Sequence, residues 1–423
     1  MKRSLENSLM CLFIALSLSS FAQLLTGNSK EFIYPFQSQH DEVLSNHISA
    51  ITDGAAIIGL GEVSHYTKEC YELKHQIIKT LINQGYDALV LEVDFGQAVL
   101  WNDYVTNGNG NIDSLIAESG WFTYRTQEFK NLLIDVRNHN LTADQPFQVF
   151  GMEMTAMHNN LPWLENYLSE HSAASEELVA LLIKEQPVVA FQQHSRVEVM
   201  DYWNLYYELS GFLSEHRDEL INSGGEKNYA TAQRISEITR QYATYISQDE
   251  FMIQVELRDQ FSSRNVMWCM EQLGEDSQIA IWAHNGHVVK ESVLFGYDIL
   301  GYYLSKWFGD EYYSIGFTFN QGEFGAYSSN GFKKWELPSV QVPSLTKELA
   351  EFNSPYLLFD IRRLLHAEPD LPLFEKSVPI RTDVSESFND DNNPMMEIDL
   401  SNSYDCLIYI DHTNYPTTIE WKQ

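Results

Sequence analysis

Residues 55–65 read AAIIGLGEVSH, and the fold follows from how this stretch is built. Ala55 to Leu60 is a short continuous apolar run, without the alternation of a strand that has one wet face. Strands covered on both sides read this way, so the run predicts a sheet with helices on both faces. Gly61 then opens a turn that carries a carboxylate, Glu62, and an imidazole, His65, three residues apart.

Downstream, residues 67–85 read TKECYELKHQIIKTLINQG. Leu73, Ile77, Ile78 and Leu81 recur at helical spacing, and Gly85 suits the left-handed cap that ends a helix. A second apolar run, Ala88 to Val93 (ALVLEV), follows at once, and strand, helix, strand in this order predicts parallel pairing. Three more such runs are Phe147 to Met152 (FQVFGM), Gln278 to Ala283 (QIAIWA) and Tyr312 to Thr318 (YYSIGFT), and a second helix is expected over Thr126 to Asn138.

Between the third and fourth runs, residues 160–275 carry long charged and aromatic stretches at helical spacing. The fold class expected is therefore α/β: a largely parallel sheet flanked by helices, with a long helical insertion between strands three and four. In that insertion Tyr202, Trp203, Tyr206, Tyr207 and Phe212 either line a pocket or pack into a helical core, and a stripe at this spacing normally faces a core. After Gly322 come short strand-like runs such as Tyr404 to Ile410 (YDCLIYI) among acidic loops.

The composition, 44% hydrophobic and 20% charged, is that of a chain able to bury a large core. Residues 1–22 are expected to be a signal peptide: Lys2 and Arg3 precede an apolar stretch from Leu9 to Leu18, and Ser20 and Ala22 suit cleavage after Ala22. Export to the periplasm or beyond follows, with residues 23–423 as the α/β domain. The apolar stretch is about half the ~20 residues that span a bilayer, so no membrane insertion is expected after cleavage. Cys11 lies too early to be a lipid-carrying cysteine. Cys70, Cys269 and Cys406 sit in apolar surroundings without metal-ligand spacing and read as buried thiols, with at most one disulfide. A formal net charge of -32 argues against nucleic acid and anionic membranes as partners.

The polar residues fall where an open α/β sheet binds its ligands, at the C-terminal ends of the strands. The first strand runs into Glu62 and His65, the second ends in Glu92 and Asp94, the third in Glu153, and the fourth runs into His284 and His287. Such a group supports proton transfer from water to a histidine whose tautomer a carboxylate fixes, with a second histidine or a cation on the oxyanion. No G-x-S-x-G elbow is present, and Ser64 beside His65 is a weak nucleophile candidate. The pairs Glu62/His65 and His284/His287 also suit a metal-dependent hydrolase, or a non-catalytic protein that binds a metal or porphyrin.

At these residues the sequence resembles the erythromycin esterase family, through GLGEVSHYTKECYELK, ALVLEVDF, GMEM, LRDQFSSRNVMW, IWAHNGHV and DEYYSIGFTF, over Ile57 to about Tyr327. The resemblance implies hydrolysis of an ester, in named members the macrolactone of a macrolide antibiotic, by activated water without a covalent serine intermediate. The leading expectation is a metal-independent hydrolase with no cofactor and a small-molecule ester as its partner. The resemblance makes His65 the general base, Glu62 and Glu92 the acids that orient it or the water, and His284 and His287 the second pair of histidines. Tyr66, Lys74, Glu153 and Arg258 are the expected substrate-contacting or cleft-bordering residues, with Asp259 beside Arg258. Tyr66 stands where many members have glycine, and Lys74 where arginine is common, which keeps the charge but loses the planar fork.

Overall fold

Apolar runs closed on both faces became the centre of the sheet. A computed structural model of the protein describes residues 24–184, 195–291, 296–328, 331–382 and 394–420; the signal-peptide expectation for residues 1–22 lies outside them. The strands are β1 Ile33–Phe36, β2 Ile57–Leu60, β3 Ala88–Asp94, β4 Gln148–Glu153, β5 Ile279–Trp282, β6 Tyr312–Ser328, β7 Gly331–Leu337, β8 Tyr356–Asp360, β9 Val378–Arg381, β10 Met395–Ile398 and β11 Cys406–Thr413. Every residue of β2, β3 and β5 is buried. Their side chains alternate between two cores: Ile57, Val90 and Ile281 on one face, Ile58, Leu91 and Trp282 on the other.

The nine-stranded sheet has the order β1-β8-β11-β6-β2-β5-β3-β4, with β7 paired to β6. From β11 to β4 every neighbouring pair is parallel. β8, β1 and β7 add antiparallel pairings at one side, so the sheet is mixed but mostly parallel, and β9 and β10 form a separate ribbon. Pro35 marks β1 as an edge strand, where a missing N–H is tolerated. Late in the chain, β5 enters between β2 and β3, with Trp282 level with Leu60 on one side and Leu91 on the other. That insertion sets the ends of β2, β5, β3 and β4 side by side along one edge.

Helices Lys68–Gln84, Phe95–Asn107 and Gln127–Asn140 cover one face, through Leu73, Ile77, Trp101, Phe129 and Leu133. Gly85 ends the first of them with φ +97, as its spacing predicted. The other face is covered by the helices between Asn160 and Leu273, whose Leu164, Leu205, Ile235 and Val266 belong to the same core as Ile57 and Val90. Of the aromatic stripe, Tyr202 packs into that core against Tyr242, whereas Tyr207 is exposed. Cys70, Cys269 and Cys406 are buried free thiols. No helix among the described residues is long and apolar enough to cross a membrane.

One side chain ties the end of β5 to β6. Asn285 Oδ1 accepts from Phe317 N at 3.0 Å, and its Nδ2 donates to Phe317 O at 2.8 Å and to Thr382 Oγ1 at 3.0 Å. Its backbone N–H donates to Glu62 O at 2.9 Å. Gly61 is required beneath it, because a Cβ there would lie 2.2 Å from Asn285 Oδ1. Truncation by Asn285→Ala strips the buried N–H and C=O of Phe317 of these partners, so urea unfolding should show a loss of about 3 kcal/mol, from about 1–3 kcal/mol per orphaned group. A loss under about 1 kcal/mol would mean that the strand ends are not held by this amide.

Candidate active site

The turn after β2 is fixed before it meets any ligand. Gly61 N donates to Ile315 O at 2.8 Å, and Tyr71 OH donates to His65 O at 2.6 Å and also contacts the Thr123 carbonyl. Ser64 is fully buried and its hydroxyl donates to Gly325 O at 3.1 Å, so it serves the turn and faces away from a nucleophile's position. These contacts aim Glu62 and His65 at each other: His65 Nδ1 lies 2.8 Å from Glu62 Oε1. The other oxygen, Oε2, takes the Trp282 indole N–H at 2.9 Å and an ion pair with Lys74.

Lys74 is fully buried, with its ammonium 3.9 Å from the centre of the Trp282 ring. Burial works against charge on Glu62, but Lys74 and then His65 outweigh it and hold the carboxyl below its usual range. Burial also lowers the Lys74 ammonium from its ordinary value, against the pull of Glu62.

β5 delivers the second pair. His284 Nδ1 accepts the Gly286 amide at 3.2 Å, which places its proton on Nε2, 3.4 Å from Val63 O. The rings of His65 and His284 are 5.0 Å apart. His287, one helical turn on, lies between two carboxylates, Asp259 at 2.6 Å from Nδ1 and Glu92 at 3.2 Å from Nε2. Burial alone would push this imidazole down, yet Asp259 and Glu92 bring it up to about 10, so it is a fixed imidazolium.

Glu92 is the junction of the group. Its Oε2 accepts the His284 amide at 2.9 Å, and its Oε1 meets Arg258 at 2.7 Å as well as His287. Arg258 reaches on to Glu153 at 2.5 and 2.6 Å, and the far oxygen of Glu153 accepts the amides of Met154 and Thr155. Burial opposes charge on Glu92, but His287 above all, with His65 and Arg258, holds its carboxyl well below the usual value. Four carboxylates, Glu62, Glu92, Glu153 and Asp259, thus face three fixed cations, Lys74, Arg258 and His287. A proton taken up by His65 brings the cluster to neutrality.

Glu62, His65, Glu92, His284 and His287 therefore occupy one contiguous edge, with buried Lys74 and part-buried Arg258 as counter-charges and buried Glu153 as the second partner of Arg258. Tyr66 stands apart. It is 4% exposed, and its ring packs at 5.0–5.2 Å against Tyr415 and Phe332, where the β6–β7 hairpin closes over it. Asp94 is also drawn away, as the N-cap of helix Phe95–Asn107 and the acceptor of the Trp121 indole at 2.7 Å. Asp259, Trp282 and Tyr71 emerge as members whose contacts no motif announced. Among the described residues no group of three or more His, Cys, Asp or Glu side chains is placed to hold a metal ion.

Comparison with known proteins identifies the family and the fold. The sequence model of the erythromycin esterase family matches residues 82–413, a span that includes Glu92, Glu153, Arg258, His284 and His287 and begins after the Glu62–His65 turn. A protein of Escherichia coli named erythromycin esterase type II is 20% identical over 301 residues, 64% of this chain and 70% of its own. A Bacillus cereus protein of known structure superposes with TM-score 0.78 at 23% identity, covering 92% of this chain and 97% of that one. The erythromycin esterase mutant EreC, in its open conformation, does so with TM-score 0.63 at 16% identity over 89% of this chain and 95% of that one. At these identities the structures show a shared fold.

The imidazolium of His287 gives a pH signature. Its value in the folded chain, about 10, lies above the ordinary 6.5, so its stabilising contribution is complete below pH 6.5 and is lost as pH rises toward 10. Urea midpoints should therefore fall over that window, and His287→Gln should fall less steeply there than the parent. Equal slopes for the two proteins would contradict a charged His287.

Proposed function

The chain belongs to the erythromycin esterase family, and on that premise we propose that it hydrolyses a carboxylic ester or lactone with water activated by His65. The observation that carries this reading is the 2.8 Å contact between His65 Nδ1 and Glu62, a carboxylate itself pinned by Lys74 and Trp282. A carboxylate on Nδ1 assigns the base function to Nε2 and stabilises the imidazolium formed when water gives up its proton.

The remaining steps use groups on the same edge. Water bound at His65 attacks the ester carbonyl, its proton passes to Nε2, and the negative charge moves to the carbonyl oxygen. His284, whose protonated Nε2 lies 3.4 Å from the Val63 carbonyl and beside the His65 ring, exchanges that long contact for the oxyanion and is its donor. Collapse of the tetrahedral adduct breaks the bond to the alkoxide, which takes the proton back from His65. Lys74, Arg258 and His287 have carboxylate partners, so their part is to fix the field and the positions of Glu62 and Glu92.

A macrolide is the substrate to try first, supported by the family and by the named Escherichia coli relative. Export belongs to the same proposal: a signal peptide over residues 1–22 would place the enzyme in the periplasm or outside the cell, where such a compound arrives. Mass spectrometry of erythromycin and of simple aryl esters incubated with the purified protein tests the reading. Addition of one water is expected, unchanged by EDTA and reduced about a thousand-fold in His65→Ala, within the 10²–10⁴ range of general-base catalysis. Turnover that persists in His65→Ala, or that EDTA abolishes, would overturn the mechanism; no water added to any ester would overturn the hydrolase reading.

A further inference from the structure

Away from the histidine cluster, a cleft of about 690 Å³ runs along the outer side of β4, the last strand of the sheet. None of the site residues lines it. Three helices contribute to its walls, Glu226–Ile246 through Lys227, Asn228 and Thr231. Helix Asn160–His171 presents Trp163, Asn166 and Glu170, at i, i+3 and i+7; helix Phe95–Asn107 presents Asn102 and Asp103.

The lining combines a flat aromatic surface with planar hydrogen-bonding groups. Trp163 stacks on Tyr167 with ring centres 5.3 Å apart and planes 11° from parallel, and both rings border the cleft. The side chains of Asn166 and Glu170 form no hydrogen bond among the described residues, and both are exposed to the cleft. Asn102, which borders the cleft, accepts the Val149 N–H at 2.9 Å on its Oδ1, so this strand-edge donor is already taken and the amide N–H₂ is not used in that bond. Asp103 is held in place by the amides of Asn107 and Asn109, at 2.7 and 3.1 Å.

The charges exclude other ligand classes. Asp103 and Glu170 outnumber Lys227, so there is no surplus of positive charge to draw a phosphate. Lys227 is moreover engaged with Gln148 Oε1 at 2.8 Å. The many amides make a poor lining for a lipid chain. What fits is a ligand with one apolar face and a rim of neighbouring hydroxyls: the C–H face of a pyranose carries partial positive charge that an aromatic face attracts, and amides and carboxylates pair with vicinal hydroxyls. The volume lies in the range of small-molecule sites and suits two or three sugar rings. We propose that this cleft is a binding site for a neutral oligosaccharide, with Trp163 as the stacking platform and Asn166, Glu170 and Asn102 as the hydroxyl partners.

Titration calorimetry of the full chain with neutral gluco-, galacto- and manno-configured di- and trisaccharides, and with glucose 6-phosphate, tests it. At least one neutral sugar should bind, with a loss of tenfold or more in Trp163→Ala and in the surface double variant Asn166→Ala/Glu170→Ala, and with ester turnover unchanged in both. The double variant removes only exposed side chains, so it remains informative if Trp163→Ala fails to fold. Absence of binding across the panel, tighter binding of the phosphate, or binding that ignores the double variant would each overturn the proposal.

Discussion

The carboxylate of Glu92, 6% exposed at the end of β3, is the group on which the whole edge depends. A charge so buried is tolerated only when its lone pairs are answered, and here the answers come from two parts of the chain: the His284 amide and His287 ring after β5, and Arg258 on the long helix before it. Removing any partner leaves a buried charge exposed to its own desolvation cost. The order of the strands is thereby linked to the chemistry. β5 must lie between β2 and β3 for His284 and His287 to meet Glu92, and the long helix Phe251–Leu273 must return over the edge for Arg258 and Asp259 to close the circuit.

The same network gives the three histidines different surroundings. His287 has two carboxylates and is locked as an imidazolium. His284 has backbone groups on both ring nitrogens and serves as a neutral N-cap. His65 has Glu62 on Nδ1. A carboxylate there suits a base, because it stabilises the protonated form. On the proposed mechanism these neighbours make His287 a counter-charge, His284 a donor and His65 the base.

Much of this was legible in residues such as those of AAIIGL and ALVLEV, where burial on both faces leaves an unbroken apolar run. β7, with the sequence GFKKWEL, was not, because a hairpin strand with one wet face carries lysines and resembles a loop. Nor was the sheet order, since the arrival of β5 between earlier strands leaves no local trace. In the site, Glu62, His65, Glu92, His284 and His287 stood out as polar residues ending apolar runs. Their pairings did not: Lys74 reads as the wet side of a helix, Trp282 as a core residue, and Asp259 gains meaning only when a chain segment 28 residues from His287 folds over it. Tyr66 adjoins His65 in sequence, yet turn geometry sends it under a hairpin.

On the proposed mechanism Glu62 holds His65 as the tautomer with its proton on Nδ1, so that Nε2 is the base. Long-range proton–nitrogen NMR of protein labelled with ¹⁵N at histidine, with His65 assigned by comparison with His65→Gln, reads this directly at pH 7.5. The account predicts a protonated Nδ1 and an unprotonated Nε2 for His65. A proton on Nε2 would contradict it.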